Sequence, residues 1–405
     1  MPRQHALYLS HTGMTEPLGQ SQVLPYLRGL CRAGWTIDLV AFEPADAPAD
    51  RIAALAAELR GQGIDYSWSR RRRSHGLPVK VAEAAGALGR ALERAVRRRP
   101  RVVHARSYLP GAVAKLLATL VPGARFIFDC RGLAGDEYLE FGHWTRQDLR
   151  YRLVKGSETI LFRRADAVVS LTSRLRDWLR AQGLTGAGTV VEVIPCCADL
   201  GRFRPDPAAR AAARARLGSG DRFVLAYSGS LGTYYCDEEL ATLFAAVRRR
   251  RPAQLVVFTR ANTDKLRTAL ARAGVAPEDV WVGAIPPSEM PAVLNGADAA
   301  ASLIRPWFSK MASSPTKMAE CLGVGLPVVA NPGVGDMDAL IARSPALVDA
   351  GALALADLDR AAATLLERAG QPGLADEARR LATAEFDLEE VGVARYRRLY
   401  QRLLE

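Results

Sequence analysis

Short apolar runs alternate with longer amphipathic stretches along the whole chain, and the alternation breaks only once. Runs at 5–10 (HALYLS), 36–42 (TIDLVAF), 102–104 (VVH), 125–129 (RFIFD), 167–171 (AVVSL) and 190–194 (VVEVI) have the length and content of strands. The stretches between them carry helical spacing. Val23, Leu24, Leu27, Leu30 and Cys31 fall on one face before Gly34 ends the pattern, and helices are expected near 50–62 and 80–99. Strands separated by helices imply crossover connections and a mainly parallel sheet. Between 195 and 207 the periodicity lapses into Pro195, Gly201, Pro205 and Pro207, as in an interdomain linker. It then resumes with strands at 223–228, 254–259, 280–282, 299–303 and 327–330. The chain has 405 residues, too many for one ordinary core. The expected fold class is α/β, with two doubly wound Rossmann-like domains facing a central cleft. Residues 1–198 form the first and 199–383 the second. Ligands of such sheets bind at the carboxyl ends of the strands. The loops of interest are therefore 11–22, 104–111, 129–140, 228–237, 259–262, 304–316 and 331–338.

Composition removes several classes. Hydrophobic residues make up 49% and charged residues 24%, which excludes disordered and collagen-like chains. The six cysteines form no CxxC pair, and no His cluster lies near them, so reduced thiols and no metal site are expected. The apolar part of MPRQHALYLSHTG is too short for a signal peptide, and no stretch reaches transmembrane length. A cytoplasmic protein is expected, free or resting on the inner face of the membrane. The net charge of +12 includes the runs Arg70–Arg73 and Arg97–Arg99. Such charge suits anionic lipid or phosphorylated substrates. Neither run is interleaved with aromatics, so no specific nucleic-acid partner is expected.

The most informative segment is Ser313-Ser314-Pro315-Thr316-Lys317-Met318-Ala319-Glu320, closed by Gly323, Gly325 and Pro327. Ser314 suits an N-cap and Pro315 a first helical position, so a helix is expected to start at Ser314. Its free N–H groups suit a diphosphate. Lys317 sits where the helix dipole disfavours a cation, a conflict that a bound polyanion removes. Glu320 lies one turn further on the same face, where a carboxylate can accept from two adjacent hydroxyls such as those of a ribose. The alternative is a plain Lys317–Glu320 surface pair.

SSPTKMAECLGVGLPVVANPGVGD (313–336) closely resembles the donor-site segment of family 4 glycosyltransferases, which have the GT-B fold and retain the anomeric configuration. Other pieces match in order: EPLGQSQVLPYL (16–27), VHARSY (103–108), FDCRG (128–132), DAVVSLT (166–172), VIPCCADLGRF (193–203) and YSGSLGT (227–233). Tyr396–Leu404 resembles the family's last helix, so residues from about 384 to 405 are expected to pack back on the first domain. The resemblance implies a nucleotide-sugar-dependent hexosyltransferase with no cofactor and no metal. Its acceptor hydroxyl would belong to a polysaccharide, glycolipid or related glycoconjugate, and a lipid-linked acceptor would bring the protein to an anionic membrane.

Carried over residue by residue, the resemblance gives Glu320 the donor ribose. The family's earlier glutamate, eight positions before, is Ala312 here, so backbone around Ser313, Ser314 and Thr316 takes the donor sugar. The bases that usually follow the first strand of the second domain are absent from Ser228–Tyr235. Lys317 and Arg260 inherit the phosphates, with Arg305 a weaker choice; for Arg260 the alternative is an exposed loop arginine. Gly13 and Gly19 form the flexible loop that approaches the phosphates. His104 and Arg106 fall where the family places groups near the anomeric carbon, although His104 also reads as a core histidine. Asp129, Arg131 and Glu137 line the next loop, toward acceptor or donor. Asp336 and Asp338 imitate a metal-binding carboxylate pair but follow Gly333 and Gly335 and are read as a helix cap. Two alternatives accompany this reading. One is a sugar-nucleotide epimerase of the same fold; the other is a non-catalytic basic protein that binds nucleic acid or a ligand.

Overall fold

The computed structural model describes residues 4–71 and 77–405. Of the first arginine run, Arg72 and Arg73 lie outside the described residues. The chain forms two units: Met1–Pro195 with Leu388–Glu405, and Cys196–Asp387. The division falls at the first proline of the segment read as a linker.

In the first unit the strands are β1 (Gln4–Ser10), β2 (Trp35–Glu43), β3 (Ile64–Arg70), β4 (Val102–Arg106), β5 (Arg125–Asp129), β6 (Ala167–Ser170) and β7 (Val190–Val193). Its helices are α1 (Pro17–Gln22), α2 (Leu24–Arg32), α3 (Ala49–Gly61), α4 (Leu77–Arg98), α5 (Tyr108–Leu120), α6 (Ala134–Glu140), α7 (Leu149–Arg164) and α8 (Ser173–Ala181). The strands are parallel in the order β3-β2-β1-β4-β5-β6-β7. The order reverses between β1 and β4, which makes that pair the switch point. Strand β3 was absent from the sequence expectation. Its Ile64 and Tyr66 are buried at alternate positions, but polar residues and a terminal arginine dilute the pattern.

The second unit begins with α9 (Pro207–Leu217). It continues through β8 (Phe223–Ser228), α10 (Asp237–Arg248), β9 (Ala253–Phe258), α11 (Asp264–Arg272), β10 (Val280–Gly283), α12 (Met290–Leu294) and β11 (Ala299–Ser302). Next come α13 (Thr316–Gly323), β12 (Val328–Ala330), α14 (Met337–Arg343), β13 (Leu347–Asp349), α15 (Leu355–Ala369) and α16 (Leu374–Phe386). The sheet order is β10-β9-β8-β11-β12-β13, again parallel, with its switch point between β8 and β11. Alternate residues of β8 serve opposite faces. Val224 and Ala226 join one apolar cluster, while Phe223, Leu225 and Tyr227 join another. Both faces are covered by helices, which is why these strands read as continuous apolar runs.

After a π turn at Leu388–Val393, α17 (Ala394–Arg402) packs into the first unit. Val393 sits against Gly29 of α2, where a Cβ would lie 2.3 Å from the valine methyl. The Tyr400 ring meets Trp35 edge-on, and the backbone carbonyl of Leu403 accepts from Arg125. Four of the described arginines in these runs are engaged. Arg70 donates to the carbonyls of Pro44, Ala45 and Ala47, and Arg71 pairs with Glu16. Arg97 pairs with Glu93, and Arg98 with Asp65.

Candidate functional site

In the second unit the switch point carries the expected site. Helix α13 begins at Thr316, with Pro315 in the capping position, rather than at Ser314. Ser314 does not cap it. The Ser314 hydroxyl instead accepts the Cys196 N–H at 3.1 Å, tying the segment before the helix to the start of this unit. The first turn of an α-helix leaves N–H groups without intrahelical partners, and here no side chain caps them.

Lys317 does not form the surface pair with Glu320. Its side chain is buried, and its ammonium has no hydrogen-bond partner. Nζ lies 3.9 Å above the Tyr227 ring and 4.8 Å from that of Tyr235. Ring faces attract the cation but offer it no lone pair. Burial therefore pulls the ammonium down to about 8, only partly offset by Cys321 and Glu320. Glu320 is half-buried, and loss of solvation pushes its carboxyl up to about 7, against the pull of Lys317 and Arg202. Lysine and glutamate on one helix are thus both held at a cost in the charged form.

Gly229, just after β8, takes φ +118. A Cβ there would lie 3.2 Å from Lys317 Nζ, so the absent side chain keeps the space beside the ammonium open. Gly229, Tyr227 and Tyr235 were not singled out from sequence. The available signal was YSGSLGT, read only for the bases it lacks. The structure supplies aromatic faces and a glycine there.

The remaining second-unit candidates scatter. Arg260, after β9, is exposed, as in its alternative reading. Arg305, after β11, lies 3.4 Å from the Glu239 carboxylate, so a partner already holds it. Ala312 is completely buried at the end of a 3-10 turn, Phe308–Ala312, and presents nothing to a ligand. Ser313 donates its N–H to the Lys310 carbonyl at 3.1 Å. Lys310 itself is buried, with Nζ 3.6 Å over the Tyr234 ring. The Asp338 carboxylate accepts the Gly333 N–H at 2.9 Å, closing the loop before α14.

In the first unit, several residues expected in loops prove to be a buried polar core. His104 is 1% exposed, hydrogen-bonded at 2.7 Å to the Tyr400 hydroxyl, with its ring 4.5 Å from that of Tyr8 and tilted to it by 60°. Burial lowers its imidazole, although Asp129 opposes this, so it is neutral at pH 7. That matches the core-histidine alternative and leaves His104 without the open access a catalytic contact requires. Asp129 is fully buried; burial would raise its carboxyl, but Arg131, His104 and Arg106 hold it well below the usual carboxylate range. Arg131 donates to Asp129 at 2.8 Å and to the Tyr396 hydroxyl at 3.1 Å. Tyr396 in turn donates to Asp129. Arg106 is also buried, 4.0 Å from Asp129. After it, Ser107 takes φ +74, a strained conformation for a residue with a side chain, and leads directly into α5. Glu137, on α6, is half-buried beside Gly132.

Gly13 and Gly19 are required by close packing rather than by a freely moving loop. A Cβ on Gly13 would meet the Glu43 carboxylate at 2.5 Å, and one on Gly19 would meet the Gly13 carbonyl at 2.1 Å. Buried Glu43 organises the loop, accepting the Met14 and Thr15 N–H groups and the Thr15 and Tyr66 hydroxyls. Sequence reading missed Glu43 because it ends a strand like any exposed polar residue.

A family described as a glycosyl transferase 4-like domain matches residues 19–197. A GDP-mannose-dependent alpha-(1-6)-phosphatidylinositol monomannoside mannosyltransferase of Mycobacterium tuberculosis is 30% identical over 272 residues, covering 62% of this chain and 67% of that protein. Its namesake from Mycolicibacterium smegmatis is 32% identical over 130 residues, covering 32% of this chain and 34% of that one. Among solved structures, Anabaena Alr3699/HepE in complex with UDP matches with a TM-score of 0.73 at 16% identity, over 98% of this chain and 100% of that one. Sucrose-phosphate synthase from Thermosynechococcus elongatus matches with a TM-score of 0.73 at 17% identity, over 99% of both chains. At such identities the structures show the fold, two Rossmann-like domains of the GT-B type.

Proposed function

This chain belongs to the glycosyl transferase 4-like family and is a glycosyltransferase, and from that premise we propose a retaining enzyme that moves a hexose from a nucleotide diphosphate donor to the hydroxyl of a glycolipid acceptor. The relatives that act on GDP-mannose and a phosphatidylinositol mannoside favour a GDP-sugar and a lipid-borne glycan. The observation that carries the donor site is the buried Lys317 ammonium without a hydrogen-bond partner, beside Gly229 and on the first turn of α13. A diphosphate supplies the acceptors the tyrosine rings lack, and it accepts from the free N–H groups of the same turn. Glu320 accepts the ribose hydroxyls.

In the transfer, the bond from the anomeric carbon to the diphosphate oxygen breaks. The acceptor oxygen bonds to that carbon on the same face, and its proton passes to the departing diphosphate. Lys317 and the helix N–H groups stabilise the charge that gathers on the leaving group, in a position fixed before reaction. Ser313, Ser314 and Thr316 present backbone and hydroxyl groups where the family's first glutamate is missing.

A thermal-shift panel of nucleotide sugars tests the assignment. GDP-mannose or another nucleotide diphosphate sugar should raise the melting temperature of the wild type. The rise should be smaller in Lys317→Met and in Glu320→Ala. A response of equal size in both variants would remove α13 from the donor site.

A further inference from the structure

Helix α7 has two apolar stripes. One faces inward with Leu161 and Phe162, and α5 packs there, Gly111 lying close against Leu161. The other faces solvent. Leu149, Leu153, Gly156 and Ile160 follow one another at spacings of four, three and four, which places them in one line along the helix. Leu149 is 67% exposed, Leu153 52% and Ile160 51%. Isolated exposed leucines are ordinary, but a line of apolar residues along one exposed helix face is not.

The exposed charged residues of α7 are all basic. Arg146, Arg150, Arg152, Arg163 and Arg164 are exposed, and their side chains form no hydrogen bond or ion pair among the described residues. This sets α7 apart from α4, whose Arg94, Arg97 and Arg98 are tied to Asp38, Asp65 and Glu93. Just before α7, Trp144 stacks on half-exposed Tyr138 with ring centroids 4.3 Å apart. No described helix is long and apolar enough to cross a membrane, and α7 has only 16 residues, so the stripe suits a helix lying on a surface.

We propose that the outer face of α7 docks on an anionic lipid bilayer. The leucines and Ile160 would enter the headgroup region, the arginines would meet lipid phosphates, and the Tyr138–Trp144 pair would sit at the interface. Charge selects this occupant over a second copy of the chain. A twofold contact through the stripe would bring the unpaired arginines of both copies together, whereas an anionic surface neutralises them. The proposal is independent of the donor site, which lies in the other unit.

Sedimentation with vesicles tests it, comparing mixed phosphatidylglycerol and phosphatidylcholine with phosphatidylcholine alone at low salt. The wild type should pellet with the anionic vesicles and be released as salt rises. The pairs Leu149→Asp with Leu153→Asp, and Arg150→Glu with Arg152→Glu, should each weaken vesicle binding about tenfold or more. All four positions are exposed, so circular dichroism, melting and nucleotide-sugar response should match the wild type. Leu355→Asp, at a 69% exposed leucine of the second unit, should bind as the wild type does. Wild-type protein that ignores anionic vesicles would overturn the proposal, as would full binding by both double variants. A wild-type dimer made monomeric by the leucine substitutions, with no vesicle dependence, would assign the face to a second copy instead.

Discussion

Burial shifts the titration of two residues on α13 toward their neutral forms. In the empty protein burial lowers Lys317 from 10.5 to about 8, and raises Glu320 from 4.5 to about 7. A diphosphate favours the charged ammonium, and a ribose hydroxyl donating to Glu320 favours the ionised carboxylate. Donor affinity should therefore peak between about 7 and about 8. Below about 7 the donor must expel a proton from Glu320. Above about 8 it must recruit one to Lys317. Each arm should fall by up to about tenfold per pH unit, with Glu320→Gln losing the acid arm and Lys317→Met the alkaline one. Titration calorimetry across this range checks it, and a flat wild-type profile would contradict it. The residue types and their spacing were legible in the sequence. That Lys317 turns to Tyr227 and Tyr235 rather than to Glu320 was not, because those tyrosines come from the end of another strand and the loop that follows it.

At the scale of elements, the helices are placed by side chains that the periodicity does not reveal. The loop ahead of α1 is shaped by Glu43, which ends β2 and gathers the Met14 and Thr15 N–H groups. The start of α13 is set at Thr316 by Ser314 turning its hydroxyl toward the Cys196 N–H. Contact between α2 and the π turn depends on Gly29, where any Cβ would strike Val393. Gly29→Ala gains about 1 kcal/mol of helix propensity, but overpacking costs about 1–3 kcal/mol. The expected outcome is a net loss, read as a lower urea midpoint. A midpoint equal to or above the wild type would show that Val393 moves aside freely. The strands of both sheets were largely legible because burial on two faces leaves continuous apolar runs. Strand β3 was not, since Asp65, Ser67, Ser69 and Arg70 dilute its apolar pattern, and β13, three residues long, is too short for a pattern to register.

At the scale of the whole molecule, the two units close their cores differently. The second is a continuous segment, Cys196–Asp387. The first needs the far end of the chain: Tyr396 and Tyr400 supply partners for Asp129, Arg131 and His104. A fragment ending at Pro195 would leave that polar network without them, and a buried polar group without a partner costs about 1–3 kcal/mol. Cys196–Asp387 expressed alone should therefore melt cooperatively and respond to a nucleotide diphosphate, while Met1–Pro195 alone should not fold. A cooperative melt from the isolated first segment would refute this asymmetry. The sequence by itself determined the class of fold, the break between two α/β halves and the helix that bears Lys317 and Glu320, since each depends on periodicity, turn residues or spacing along the chain. Tertiary structure decided which charges are engaged. It buried His104 and Asp129 beneath α17, tied Arg70, Arg71, Arg97 and Arg98 to carbonyls and carboxylates, and left the exposed arginines of α7 without partners among the described residues. Such outcomes depend on which distant residues arrive beside a side chain, and linear spacing holds no record of that.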